Sequence, residues 1–160
     1  MKNIKHFILA LIAGIVALCA VGCSSSSSEK LGYFQKVYDK ATLEKYISDM
    51  EAKGLTYAII DFRSEADYKA GTYTTPSGVK AQWVGEATAT DINNGNVCSW
   101  ALASAKTNKG TSISKSTNLF VFVSARQADF ETILPGKFSK EGWEKGNHIY
   151  GVMGGYEKIK

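Results

Sequence analysis

The chain has 160 residues, 44% of them hydrophobic and 21% charged, and a formal charge of +4. That composition excludes a disordered, collagen-like or multi-span membrane chain, and the length suits one domain whose core needs no disulfide staples. Without the first 22 residues, which carry Lys2 and Lys5 and no acid, 17 basic residues face 15 acidic ones, a balance of +2 that gives no reason to expect nucleic acid as a partner.

The first element is an address. Met1 to His6 is short and positive, and Phe7 to Val21 is an apolar run of 15 residues, short for a membrane span but suited to the core of a secretory signal. It ends in Ala20-Val21-Gly22-Cys23, followed at once by Ser24 to Ser28. Small residues before a cysteine, then serines, resemble the lipobox of bacterial lipoproteins, with Ala20 where that family most often has Leu. The resemblance implies cleavage before Cys23 and acylation of Cys23, palmitate included, which makes membrane lipid a partner and the cell envelope the location. Ser24, where an acidic residue would favour inner-membrane retention, points to the outer membrane if the cell has one. Two or three acyl chains anchor a domain stably where one does not. The serine tract, unable to build a core, reads as a tether. The expected organisation is a signal peptide over 1–22, a lipidated cysteine and tether over 23–30, and one domain over 31–160.

Cys19 then leaves with the signal and Cys23 is acylated, so the domain keeps Cys98 as its one cysteine and His148 as its one histidine. No intramolecular disulfide and no cysteine-rich zinc site can be built from these. No cofactor or metal is expected.

Along the domain, Tyr33 to Val37 reads as a short opening strand. Leu43, Tyr46, Ile47 and Met50 fall on one helical face, with Asp39 or Thr42 to cap it and Gly54 to close it. Tyr57 to Phe62 is a short, nearly continuous apolar run, as in a strand covered on both faces. Ser64-Glu65-Ala66-Asp67 has the spacing of a helix start, and Gly71 of its stop. Val79 to Val84 is a third candidate strand. Trp100, Leu102 and Ala103 suggest the buried face of a helix within 97–106, after a break at Asn93 to Asn96. Lys109 to Thr117 reads as loop, Leu119 to Val123 as the strongest strand, and Gln127 to Leu134 as a helix closed by Pro135-Gly136. His148 to Val152 is the last strand, followed by Gly154-Gly155 and a short terminal helix. Strands separated by helices predict an α/β domain, a central parallel sheet with helices on both faces.

Three stretches resemble rhodanese-like domains. Ile59 to Gly71 has an apolar strand ending in Asp61-x-Arg63, a short helix and a closing Gly71; Phe120 to Val123 stands where that family has the strand feeding its active-site loop; His148 to Tyr156 resembles its final strand and Gly154-Gly155 turn. The resemblance implies that Asp61 and Arg63 brace the scaffold. It also implies that Ser124, Ala125, Arg126, Gln127, Ala128 and Asp129 form the loop that in active members begins with a catalytic cysteine. A serine cannot form a persulfide, and near neutral pH it is a poor nucleophile without a general base. The loop also lacks glycines and adds Asp129, which opposes an anionic substrate. Thr72 stands where the family usually has His, and Ile159 where it has a final tryptophan. The expected function is therefore a catalytically silent binding module, its partner an envelope protein or small anion at this loop. The alternative is a sulfurtransferase or thiol-redox protein using Cys98, whose pKa a helix start would lower; against it, a lone cysteine beside Trp100 reads as an inert buried residue. Ser124, His148 and an aspartate make a hydrolase triad on paper, but His148 opens its strand and Ser124 follows the end of another, which argues against contact.

Overall fold

The computed structural model describes residues 32–143 and 148–160. The expected signal peptide, Cys23 and the serine tract lie outside the described residues. Five parallel strands form one sheet, β1 (Gln35–Val37), β2 (Tyr57–Asp61), β3 (Gln82–Trp83), β4 (Asn118–Phe122) and β5 (Ile149–Val152), in the order β1-β5-β4-β2-β3. β2 and β4 are buried at every position, as the nearly continuous apolar run of β2 predicted. Alternation along them feeds two cores. Tyr57, Ile59, Phe120 and Phe122 join Leu43, Ile47 and Met50 of α1 (Lys40–Ala52) on one face. Ala58, Ile60, Leu119 and Val121 join residues of α3 (Ala89–Asn93), α4 (Asn96–Ser104) and α5 (Phe130–Lys140) on the other. The expected α/β architecture, with helices on both faces of a parallel sheet, is present.

Local signals fix several boundaries. Asp39 is the residue that caps α1, its Oδ1 accepting from Thr42 N at 2.7 Å. Gly54 follows the helix at φ +67°, a left-handed angle that a side chain would strain. Ser64 Oγ accepts from Asp67 N at 3.2 Å and starts α2 (Glu65–Ala70), which Gly71 ends.

Three expectations need correction. The third strand is only Gln82–Trp83, because the residues before it pair locally: Ala81 N donates to Tyr73 O and Thr75 N to Val79 O, an arm that takes up the backbone groups a longer strand would need. The buried face of α4 is Val97, Cys98 and Ala101; Leu102 and Ala103 are exposed and Trp100 is half-buried over Gly85. Apolar residues surround that helix, so periodicity marked no single side. The third correction concerns α5, which starts at Phe130 and runs through Pro135 to Lys140 instead of stopping there. An interior proline removes a helical hydrogen bond and crowds the preceding turn. Here its ring is buried against the sheet, Cγ lying 2.7 Å from where a Cβ on Gly151 would stand. The close approach of helix and strand outweighs the local preference to stop. α3 was not expected at all; Thr88 Oγ1 accepting from Asp91 N at 3.2 Å is its start signal. The terminal helix is a single 3-10 turn, Tyr156–Lys158.

Candidate functional site

Parallel α/β sheets gather sites beyond the carboxyl ends of their strands. There the ends of β2, β4 and β5 bring together the three segments singled out in the sequence. Beyond β2, Arg63 closes on Asp61: its Nε lies 3.0 Å from Oδ1 and its Nη2 2.7 Å from Oδ2, both residues buried. Arg63 Nη2 also donates to Gly71 O at 2.5 Å, and Thr72 Oγ1 to Asp61 Oδ2 at 2.7 Å. The guanidinium lies 3.8 Å from the centre of the Tyr156 ring, and Trp83 Nε1 donates to Arg63 O at 2.9 Å. These contacts all go to scaffold groups. A bidentate pair whose Nη2 also reaches Gly71 O ties β2, the 71–72 turn and the carboxyl-terminal turn together.

Beyond β4 the chain passes through Val123 and Ser124 into a 3-10 turn, Ala125–Gln127. Tyr156 N donates to Val123 O at 2.9 Å, so the carboxyl-terminal turn is fastened to the loop backbone. Gly155 makes this possible: a Cβ there would lie 2.5 Å from Val123 O and 2.8 Å from Ala125 N. The loop is filled from within the chain. Ser124 is buried, and its N–H and Oγ both donate to Gln127 Oε1 at 3.1 Å. Gln127 Nε2 donates in turn to Ala87 O at 3.1 Å. Ala125 N donates to the Glu157 carboxylate at 3.0 Å. Gly154 N donates to Glu131 Oε2 at 2.6 Å. Arg126 is highly exposed, and its 3.3 Å contact with Asp67 is a surface pair of small energetic weight. Ala128 and Asp129 are exposed and lead into α5.

The chemistry open to this loop is narrow. The Ser124 hydroxyl is hydrogen-bonded to a carboxamide and not to a general base, and the Ala125 amide that would face an anion already holds a carboxylate. His148 lies at the opposite end of the sheet, its Nδ1 3.1 Å from Asn118 Oδ1 at the start of β4. The six residue steps from Asn118 to Ser124 span about 20 Å when extended, so Ser124 and His148 do not meet. Cys98 sits in the first turn of α4, 4% exposed, among the apolar residues of the α3–α5 core. Burial pushes its thiol up to about 12, with Glu141 adding to the shift against Lys137 and Lys115. A thiol in that state is inert at neutral pH. Among the described residues no cluster of histidine, cysteine and carboxylate side chains could hold a metal ion.

The sequence reading did not find Glu131 or Glu157. Glu157 lies 32 positions from the amide it caps, and nothing local to either residue announces the contact. It also did not find an open cavity of about 450 Å³ at the amino ends of the strands, lined by Tyr46, Met50, Lys53, Asn118, His148 and Tyr150 among others.

Fold and site together define a parallel α/β domain whose carboxyl-end loop is closed by its own side chains. Compared with protein-family models, curated proteins and solved structures, the chain gives no match.

Proposed function

We propose that the chain is a bacterial lipoprotein whose rhodanese-like domain is a non-enzymatic binding module, held at the cell envelope by acylated Cys23. The observation that carries the reading is the state of the loop after β4. An oxygen stands at Ser124 where a sulfurtransferase needs a thiolate, and it donates to Gln127. The Glu157 carboxylate occupies the neighbouring Ala125 amide. Persulfide chemistry needs a sulfur nucleophile with a depressed pKa, for which converging amide donors are one means. Neither requirement is met at this position. The contacts of Asp61, Arg63, Gly154 and Gly155 support a scaffold role for the remaining motifs. With the loop amide already capped by a carboxylate, an envelope protein is a better fit than a small anion at the rim. The alternative, chemistry at Cys98, is opposed by the burial of that thiol.

The test is sulfur transfer from thiosulfate to cyanide by the purified full chain. The expected rate equals that of the buffer, and a rate that vanishes on Cys98→Ala would overturn the reading in favour of the alternative. Ser124→Cys alone is expected to form no persulfide detectable by mass spectrometry, because Glu157 disfavours a thiolate beside it. Ser124→Cys combined with Glu157→Gln is expected to give a thiol of lower pKa than the single variant. The anchor is tested separately, by finding a diacylglyceryl group on Cys23 in the amino-terminal peptide.

A further inference from the structure

Four large apolar side chains are exposed among the described residues: Tyr33, Tyr38, Leu55 and Leu102. Two of them, Tyr33 at 62% and Tyr38 at 61%, flank β1, which is the edge strand of the sheet and the first described strand after Cys23. Between and beside them, Lys36 and Lys40 are exposed. The acid in this stretch, Asp39, has its carboxylate turned to the α1 amino terminus, accepting from Thr42 N. The edge therefore shows two tyrosines and two ammonium groups, with the intervening carboxylate engaged by backbone.

We propose that this edge, Tyr33 to Lys40, is the membrane-facing surface of the domain and rests on the headgroup layer of the bilayer, with its contact strengthened by anionic lipid. The inference rests on the reading of Cys23 as the lipidated residue. Reach supports it: Cys23 and Gly32 are nine peptide units apart, which cannot span more than about 32 Å even when fully extended. β1 is the strand nearest that attachment along the chain, so the anchor holds this edge at high local concentration against the bilayer. Reach alone does not choose the edge, because β3, four strands away, is only about 19 Å further across the sheet. Side-chain chemistry chooses. Tyrosine is enriched where one end of a residue must be apolar and the other wet, and lysines near an anionic leaflet are attracted to it. Phe34, next to Tyr33, packs onto the α3–α5 core while Val37, next to Tyr38, joins the α1 core, so the edge is rigidly backed on both faces. A sheet standing on this edge keeps the carboxyl-end loops free of the bilayer and open to a soluble partner.

The experiment uses the full lipidated chain in lipid nanodiscs, with phosphatidylglycerol present or absent and a trace of lipid carrying a headgroup nitroxide. Amide resonances are followed by nuclear magnetic resonance. The expected result is paramagnetic broadening of residues 33–40 at least twofold greater than that of Gln82 and Trp83, larger with phosphatidylglycerol. That difference should disappear in Tyr33→Ser/Lys36→Glu/Tyr38→Ser with the rest of the spectrum unchanged. Equal broadening of both edges, or greatest broadening elsewhere, would overturn the proposal while leaving the anchor intact. Shifts at 33–40 that grow with the number of chains per disc, without nitroxide broadening, would assign the edge to a second copy and equally overturn it. An amino-terminal peptide found unacylated by mass spectrometry would remove the anchor reading and this proposal with it.

Discussion

Gly155→Ala places a methyl group where the carboxyl-terminal turn meets the loop after β4. Two effects add. The backbone at Gly155 has φ +69° and ψ −162°, a region essentially restricted to glycine, and a side chain there is worth about 1–3 kcal/mol of strain. The new Cβ would also stand 2.5 Å from Val123 O, 2.7 Å from the Ser124 carbonyl carbon and 2.8 Å from Ala125 N. All three are backbone atoms, so no flexible side chain can move aside, and overpacking of this kind is worth about 1–3 kcal/mol. The expected loss is therefore about 2–6 kcal/mol, a large part of the roughly 5–15 kcal/mol that holds a domain folded. Gly54→Ala is the control: φ is +67° there, but nothing lies within 4 Å of the added methyl. Its expected loss is the conformational term alone, about 1–2 kcal/mol. Urea unfolding followed by tryptophan fluorescence measures both, with equal denaturant slopes as the condition for comparing midpoints. If Gly155→Ala loses no more stability than Gly54→Ala, the tight seat of the turn on the loop is refuted.

Other substitutions test the core in the same assay. Asp61→Ala leaves the Arg63 guanidinium buried without its carboxylate and is expected to destabilise by about 3–5 kcal/mol, whereas loss of the exposed Lys45–Asp49 pair should leave the unfolding midpoint unchanged. Gly151→Ala meets the Pro135 ring at 2.7 Å and is expected to destabilise by about 1–3 kcal/mol, with part of the loss recovered in Gly151→Ala/Pro135→Ala. Additive losses in that double variant would show that helix and strand do not touch there. Alkaline pH supplies a further test. Burial raises the Cys98 thiol and the Tyr57 phenol each to about 12, the latter helped by its hydrogen bond to Glu51, and raises Tyr73 and Tyr150 as well. Groups with folded pKa values above their unfolded ones lend stability in full below the unfolded values and lose it as pH rises toward the folded ones. The melting temperature is therefore expected to fall steeply between about pH 9 and 12, and Cys98→Ser should flatten the lower part of that fall. Aromatic disulfide reagents should label Cys98 slowly in the folded chain and at once in urea; rapid labelling of folded protein would contradict its burial.

The sequence alone was enough for features decided within a few residues. The nearly continuous apolar run of Tyr57 to Phe62 implied a strand buried on both faces, and Asp39, Ser64, Gly54 and Gly71 marked helix ends, because capping and left-handed turns depend on local backbone groups. Alternation of such segments was sufficient for the α/β architecture. The tertiary structure decided what depends on residues far apart in the chain. Pro135 has a strong local preference to stop a helix, yet α5 continues through it because the buried fit against Gly151 outweighs that preference. The loop at Ser124 could be read as lacking sulfur, but not as closed. Its closure comes from Gln127 reaching Ala87 and from Glu157 reaching Ala125, contacts set by how β4, β5 and the last turn are brought side by side. The burial of Cys98 likewise depended on which side of an apolar helix faced the sheet, a choice that residue type alone does not make.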